Sequence, residues 1–415
     1  MLRILLTGLS VCSIGLEQLL KVVQPDHTEA HADVDRIRRK LDLTMASLIL
    51  APSRRRPMPR VTRWTALIGI AGMLGVAVLL VLSLSNVADF DPPDVTTRDV
   101  SFEQGGHVLQ GTLYDASNGG PIALLVHGDA AQDRTSEGGY LPMVNTLTDA
   151  GISVFSWDKP GVGASTGDWL DQGMQDRAAE AVAALAALRE MPGMEKRALG
   201  LIGFSQGGWV LPRVPGLTKD AAFLVLIGAA VSWQEQGAYY TTRRLEAEGQ
   251  TPVMIAEVLQ AQMARALISF APEASYADYL EVEQQAGTPG SALMTEARFG
   301  FVQRNFAEDV RGLLPGLTLP VLVLSGADDL NVDGAQTVSV YSAALAGANP
   351  HNRFVLVPGA THSLLQAAHY NNQLPTQWTA LAQARFLLSG RDAYAPEVLT
   401  TLTEWITTVS APASP

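Results

Sequence analysis

The sequence predicts an α/β protein built on a mostly parallel sheet wrapped by helices, and three observations carry that reading. The short unbroken apolar run at 121–126 is expected of a strand buried on both faces, and further short, mainly apolar runs recur at 152–157, 199–204, 222–227, 321–325 and 354–357. Segments of helical spacing separate the first of them, at 141–150 and in the alanine-rich stretch 175–190. Finally, the run 199–204 leads into Gly203-Phe204-Ser205-Gln206-Gly207, after which Trp209, Val210 and Leu211 read as the opening of a helix. A strand, a sharp turn and a helix in that order hold the central serine out in a strained backbone conformation.

Taken in order, residues 1–63 lie apart from this pattern. They are expected to be a cytoplasmic segment, or to precede a true start at Met45 or Met58. Cys12 is the only cysteine, so no disulfide framework is possible, and the bulky Val11 before it argues against a lipid-attachment site. Residues 65–85 contain no charged side chain and are long enough to cross a bilayer, so 64–86 are expected to form a transmembrane anchor. Arg54, Arg55, Arg56, Arg60 and Arg63 precede this stretch, while Asp89, Asp91 and Asp94 follow it. That asymmetry keeps the N-terminus cytoplasmic and sends the rest across the membrane. The alternative is a secreted protein released by cleavage of a signal peptide that starts at Met58.

Residues 87–97, with Asp91-Pro92-Pro93-Asp94, read as a linker. The core then runs from 98 to 230, opening with a hairpin whose arms, 99–102 and 108–114, flank Gly105-Gly106. From 231 to 316 the alternation stops and helical periodicity takes over, which suggests an inserted helical cap. Met254, Ile255, Val258, Leu259, Met263, Leu267 and Ile268 are assigned there to one helix face. Its aromatic residues, Trp233, Tyr239, Tyr240, Phe270, Tyr276, Tyr279, Phe299, Phe301 and Phe306, are expected mostly to hold the cap in place, with a minority lining an apolar tunnel. The second part of the core spans 317–410.

A serine held out at such a turn needs a base, and the base an orienting acid, and in strand–turn–helix serine enzymes these follow the serine in the order acid, then histidine. Both are present. The run 321–325 ends in Gly326-Ala327-Asp328-Asp329-Leu330-Asn331-Val332, and the run 354–357 in Pro358-Gly359-Ala360-Thr361-His362. Each falls just past the carboxyl end of a strand, the edge of an open sheet where sites assemble. His107, His351 and His369 lack such a setting.

Five segments, His127-Gly128-Asp129, residues 158–165, Gly203 to Gly208, Gly326 to Val332 and Gly359 to His362, occur in one order along 98–410. In this the core resembles the α/β-hydrolase superfamily, and most closely its bacterial esterase and serine-aminopeptidase-like branches. The resemblance implies Ser205 as nucleophile, His362 as general base and Asp329 as the carboxylate that fixes the imidazole. The oxyanion hole would be the backbone N–H groups of Gln206 and Asp129. A carboxylate side chain there opposes a forming oxyanion, so Asp129 must turn away, or the Ala130 amide serves instead. His127 is expected to brace the loop, and Asp158, with Gly161 and Gly163, to shape a turn.

The net charge of −12 argues against a nucleic-acid partner, which needs clustered Lys and Arg. No His, Asp and Glu cluster has metal-ligand spacing, and no cofactor is implied. The expectation is therefore a membrane-anchored serine hydrolase cleaving a carboxylic ester or related small acyl substrate. Alternatives are an aminopeptidase, whose substrate amine would meet Glu246, Glu248, Glu257, Glu273, Glu281 or Glu283, a thioesterase, or an inactive hydrolase fold used for binding.

Overall fold

The computed structural model describes residues 86–116 and 119–411. The expected segments 1–63 and 64–86 lie outside them, apart from residue 86, and among the described residues no helix is long and apolar enough to cross a membrane. A small unit gathers residues 86–91 with Ala384–Gly390, where Phe90 meets Phe386 edge-on at 5.0 Å. Everything below concerns the larger unit.

Eight strands form one sheet in the order β1-β2-β4-β3-β5-β6-β7-β8. β1 (Thr96–Gln104) and β2 (His107–Asp115) make the antiparallel hairpin. Gln104 pairs with His107, so the loop is only Gly105-Gly106, both at positive φ, as a two-residue turn matched to strand twist requires. β2 pairs antiparallel with β4 (Ser153–Trp157), and every later pairing is parallel: β3 (Ile122–Val126), β5 (Leu199–Phe204), β6 (Ala221–Ile227), β7 (Val321–Gly326) and β8 (Arg353–Val357). β3, β4 and β7 are buried along their whole length, which explains why their sequences do not alternate. β8, at the sheet edge, is only partly covered.

Helices fill the connections. α1 (Leu141–Asp149) joins β3 to β4, and α2 (Met174–Arg189) joins β4 to β5. In α2 the buried positions Met174, Ala178, Ala181, Leu185 and Leu188 recur every three or four residues, so one stripe faces the sheet. Removing a buried leucine such as Leu188 or Leu201 is expected to cost about 2–5 kcal/mol. A short helix, α3 (Gly207–Val210), follows β5 directly.

Between β6 and β7 the chain forms α4 (Trp233–Ala247), α5 (Pro252–Ser269), α6 (Tyr276–Gln285) and α7 (Glu296–Asn305). Each starts where the sequence supplies a hydroxyl cap: Ser232, Thr251, Ser275 and Thr295 accept from the backbone N–H three residues on. Such a cap contributes roughly 1 kcal/mol. A bridge between Ser232 and Asp309 draws the two ends of this helical segment together. The single apolar face assigned to α5 divides in two. At 100° per residue the seven positions span about 260° of the helix circumference, too much for one face. Ile255 is buried and Leu259 and Met263 line a cavity, whereas Met254, Val258, Leu267 and Ile268 are exposed. After β7 come α8 (Gly334–Ala344), which joins it to β8, and the C-terminal α9 (Val398–Ser410).

The chain moves from β3 to its neighbour β4 and then returns past β3 to form β5 on the other side. Strand order reverses at β3, so the carboxyl ends of β3 and β5 open side by side with no connection covering the gap between them.

Candidate active site

Ser205 occupies the turn at the end of β5 with φ of 48°, a left-handed conformation that costs a non-glycine residue on the order of 1–3 kcal/mol. The neighbouring glycines permit it. A Cβ on Gly207 would stand 2.7 Å from the Val126 carbonyl oxygen, and one on Gly203 would lie 3.0 Å from the Gly207 carbonyl. The Ser205 N–H donates to Ile227 O at 2.8 Å, tying the turn to the end of β6. Gly128, past β3, closes from the other side: a Cβ there would be 3.3 Å from that of Ser205.

His362 and Asp329 meet, although their residues are separated by β8. His362 Nδ1 lies 2.8 Å from Asp329 Oδ2. The other carboxylate oxygen, Oδ1, accepts from the N–H groups of Asn331 (2.7 Å) and Val332 (2.9 Å). Asp329 is 1% exposed, whereas Asp328 is exposed to solvent. Tyr239 of α4 donates its hydroxyl to the Asp329 carbonyl at 2.8 Å, so the helical segment buttresses this loop. Burial pushes the His362 imidazole down, but the charge and hydrogen bond of Asp329 outweigh it and leave its pKa above the ordinary value. The ring packs on Gly228, where a Cβ would come within 3.1 Å of Nδ1 and Cε1. Gly228 directly follows Ile227, the residue that holds the Ser205 backbone.

The N–H groups of Gln206 and Asp129 donate to no acceptor among the described residues. The Asp129 side chain forms a bidentate ion pair with Arg298, at 2.9 and 2.6 Å. Arg298 is the third residue of α7, and its own N–H is the one that the Thr295 cap binds. Burial raises the Asp129 pKa, but Arg298 and the adjacent Ala130 amide more than reverse that and hold the carboxylate ionised. The ion pair was not foreseen from the sequence, which offers no local signal across 169 residues.

Beneath this loop His127 is buried, with Nε2 2.6 Å from Trp157 O and its ring stacked on Tyr140. Burial first, then the nearby cations Lys159 and Arg177, push its pKa down to about 3, so it stays neutral and braces the loop. Asp158 binds Arg134 and the Ala164 N–H, shaping the turn that follows β4. His351 and His369 are exposed and His107 lies on the first hairpin. No group of three or more His, Cys, Asp and Glu residues suited to a metal ion occurs among the described residues.

A cavity of about 670 Å³ opens at Ser205 and Gln206 and extends beneath α4–α7. Trp233, Tyr240, Phe270, Tyr279 and Phe306 line it, so more of the aromatic residues face the cavity than the expected minority. Of the six glutamates considered for holding an amine, only Glu283 lines it, and that carboxylate already accepts from Thr288 Oγ1.

A family model described as serine aminopeptidase, S33, matches residues 122–367. No curated protein sequence matches the chain. Among solved structures, an esterase of Pyrococcus furiosus is similar over 76% of this chain and 92% of its own, at 15% identity and a TM-score of 0.50. A thermophilic esterase from Thermogutta terrifontis, 20% identical, is covered fully by 76% of this chain at a TM-score of 0.43. Est1E from Butyrivibrio proteoclasticus, solved with ferulic acid bound, is 15% identical over 74% of this chain and 96% of its own, at a TM-score of 0.43.

Proposed function

As a member of the serine aminopeptidase (S33) family of α/β-hydrolases, to which this chain belongs, the protein is a hydrolase, and we propose that it cleaves carboxylic esters through an acyl-enzyme on Ser205. The observation that carries this reading is the pairing of His362 with the buried Asp329, against the glycine that follows the anchor of the Ser205 turn. With Nδ1–H donating to Asp329, the other nitrogen of His362 is left free to accept a proton. Ser205 Oγ attacks the ester carbonyl and loses its proton to His362 Nε2, and the carbonyl oxygen becomes an oxyanion that accepts from the Gln206 and Asp129 N–H groups. Collapse breaks the C–O bond, and the His362 proton leaves with the alcohol. Water, deprotonated by the same nitrogen, then releases the acid and regenerates Ser205.

The ester reading is favoured over the aminopeptidase reading by the cavity lining. An aminopeptidase must hold a protonated amine beside the scissile bond, yet the two acidic side chains that line the cavity, Asp129 and Glu283, are engaged by Arg298 and Thr288. The apolar lining suits an acyl or alkyl group instead. The charge-free residues 65–85 and the arginines before them support the further proposal of an anchored, extracytoplasmic enzyme.

The test is labelling with a fluorophosphonate, which modifies an activated serine. The parent protein should label and hydrolyse nitrophenyl esters, and Ser205→Ala should do neither while keeping its thermal midpoint. Undiminished labelling of that variant would overturn the assignment, and faster turnover of aminoacyl arylamides than of esters would favour the aminopeptidase.

A further inference from the structure

Lys159 is the second residue after β4 and is 2% exposed, an uncommon place for a lysine amine. Its Nζ donates to Gly128 O and Ala130 O, both at 2.8 Å, and stands 4.7 Å from the ring centroid of Trp169. These two carbonyls bracket Asp129. The Gly128 C=O and the Asp129 N–H belong to one planar trans peptide, so a donor that fixes the oxygen on one side aims the N–H to the other. A hydrogen bond at the oxygen also draws electron density from the amide, which makes its N–H a stronger donor.

Arg177 of α2 extends the same arrangement. Buried beneath the loop, it donates to His127 O at 2.6 Å and to Gln206 Oε1 at 2.7 Å, linking the stretch that leads into Asp129 to the residue that carries the other unpartnered N–H. Burying an ammonium is unfavourable, and a methionine would fill a similar volume without that penalty. Burial indeed pushes the Lys159 pKa well below the ordinary lysine range, and Arg177 adds to this, against the opposing charges of Asp129 and Glu180.

We propose that Lys159 is a positioning residue for oxyanion stabilisation, holding the Gly128–Asp129 peptide with its N–H directed at the acyl oxygen. The inference rests on the reading of Ser205 as nucleophile, and it concerns a side chain that touches neither substrate nor Ser205. Because the oxyanion exists only in the transition state and the tetrahedral intermediate, disturbing its donor should lower kcat and leave KM nearly unchanged.

The experiment uses the full chain with Lys159→Met and with Lys159→Gln, which is shorter but keeps two N–H donors. Active-site titration normalises rates to folded, competent enzyme, and a trifluoromethyl ketone serves as a probe that forms a tetrahedral oxyanion adduct. Lys159→Met should lose on the order of 10² in kcat, with KM within about threefold, and the ketone should bind weaker by the same factor as kcat/KM falls. Lys159→Gln should recover at least about tenfold of that loss. A kcat for titrated Lys159→Met within about threefold of the parent would overturn the proposal, as would a loss of kcat with unchanged ketone affinity. If Lys159→Met does not fold, Lys159→Gln decides: parental kcat and ketone affinity support the donor role, and a drop in kcat without weaker ketone binding refutes it. Labelling of Ser205→Ala is the separate control, since its persistence would remove the underlying reading rather than the role of Lys159 within it.

Discussion

Replacing Asp329 with Asn removes a charge without removing any volume, and the hydrogen bonds around it fix what the new amide must do. Asp329 Oδ1 accepts from two backbone N–H groups, Asn331 and Val332, while Oδ2 faces His362 Nδ1. If the substituted side chain turned its NH₂ toward the backbone amides, two buried donors would confront a third, at a cost of about 1–3 kcal/mol for each unsatisfied group. The amide oxygen therefore stays with Asn331 and Val332, and the NH₂ points at His362. Nδ1 then has to accept, which moves the imidazole proton to Nε2, the nitrogen that receives the Ser205 proton in the proposed mechanism. The wrong tautomer costs about 10⁴ in kcat in the serine protease that defines this effect. That factor corresponds to about 5.5 kcal/mol of barrier. For this site, set on a different fold, a loss of at least about 10² is expected, against less than about tenfold for the exposed Asp328→Asn. The assay is steady-state hydrolysis of a nitrophenyl ester across pH. In the parent the base must be neutral, so kcat/KM should rise with pH through a midpoint above 6.5, because Asp329 lifts His362 past what burial takes away. In Asp329→Asn only the burial effect remains, and the residual activity should rise at a lower pH. A larger loss at Asp328 than at Asp329, or a midpoint that does not move, would refute the reasoning.

Arg298→Ala strips the Asp129 carboxylate of its bidentate partner beside the Ser205 cavity and should lower kcat/KM by about tenfold, a modest figure because both side chains remain partly solvated. The double variant with Asp129→Asn should recover most of the loss, and an equally impaired double variant would show that Arg298 acts otherwise than by neutralising that charge. Across a series of nitrophenyl esters from acetate to octanoate, kcat/KM should climb roughly fourfold per methylene until the cavity is filled, from about 0.8 kcal/mol per buried CH₂; a flat series would mean that the cavity does not take the acyl chain. Alkaline phosphatase fused after residue 95 should be active in a bacterial host, whereas activity only from a cytoplasmic reporter there would reverse the proposed orientation.

The sheet was legible because its strands are the parts of the chain least dependent on context. β3, β4 and β7 are buried on both faces, so each is written as a short run free of charged residues and mainly apolar, and the glycines at 105 and 106 mark the hairpin by the positive φ they must adopt. The four hydroxyl-capped starts of α4–α7 are equally local. The division of α5 was not legible in the same way. Its apolar positions are real, but which of them turn inward depends on where α4 and α6 pack, and periodicity over so wide an arc leaves that open. The same limit explains the aromatic residues: their count can be read from the chain, but the cavity they line exists only once the four helices are assembled.

The candidate site shows a sharper boundary between local and assembled information. Ser205, Asp329 and His362 each sit in a glycine-marked turn just past a strand, so the chain itself announces them. Lys159 lay inside a recognised segment, 158–165, yet a lysine in a loop is ordinarily solvated, and nothing nearby in sequence signals that its ammonium is buried against the carbonyls of Gly128 and Ala130. Arg298 had no segment at all. The sequence did pose the question that Arg298 answers: a carboxylate at position 129 opposes an oxyanion unless its side chain turns away. The conflict left open what would receive the side chain, and the structure places a cation there: α7, capped by Thr295, carries Arg298 as its third residue. A residue type that is electrostatically wrong for its local role is thus itself a signal, because the compensation it demands has to be built from elsewhere in the chain.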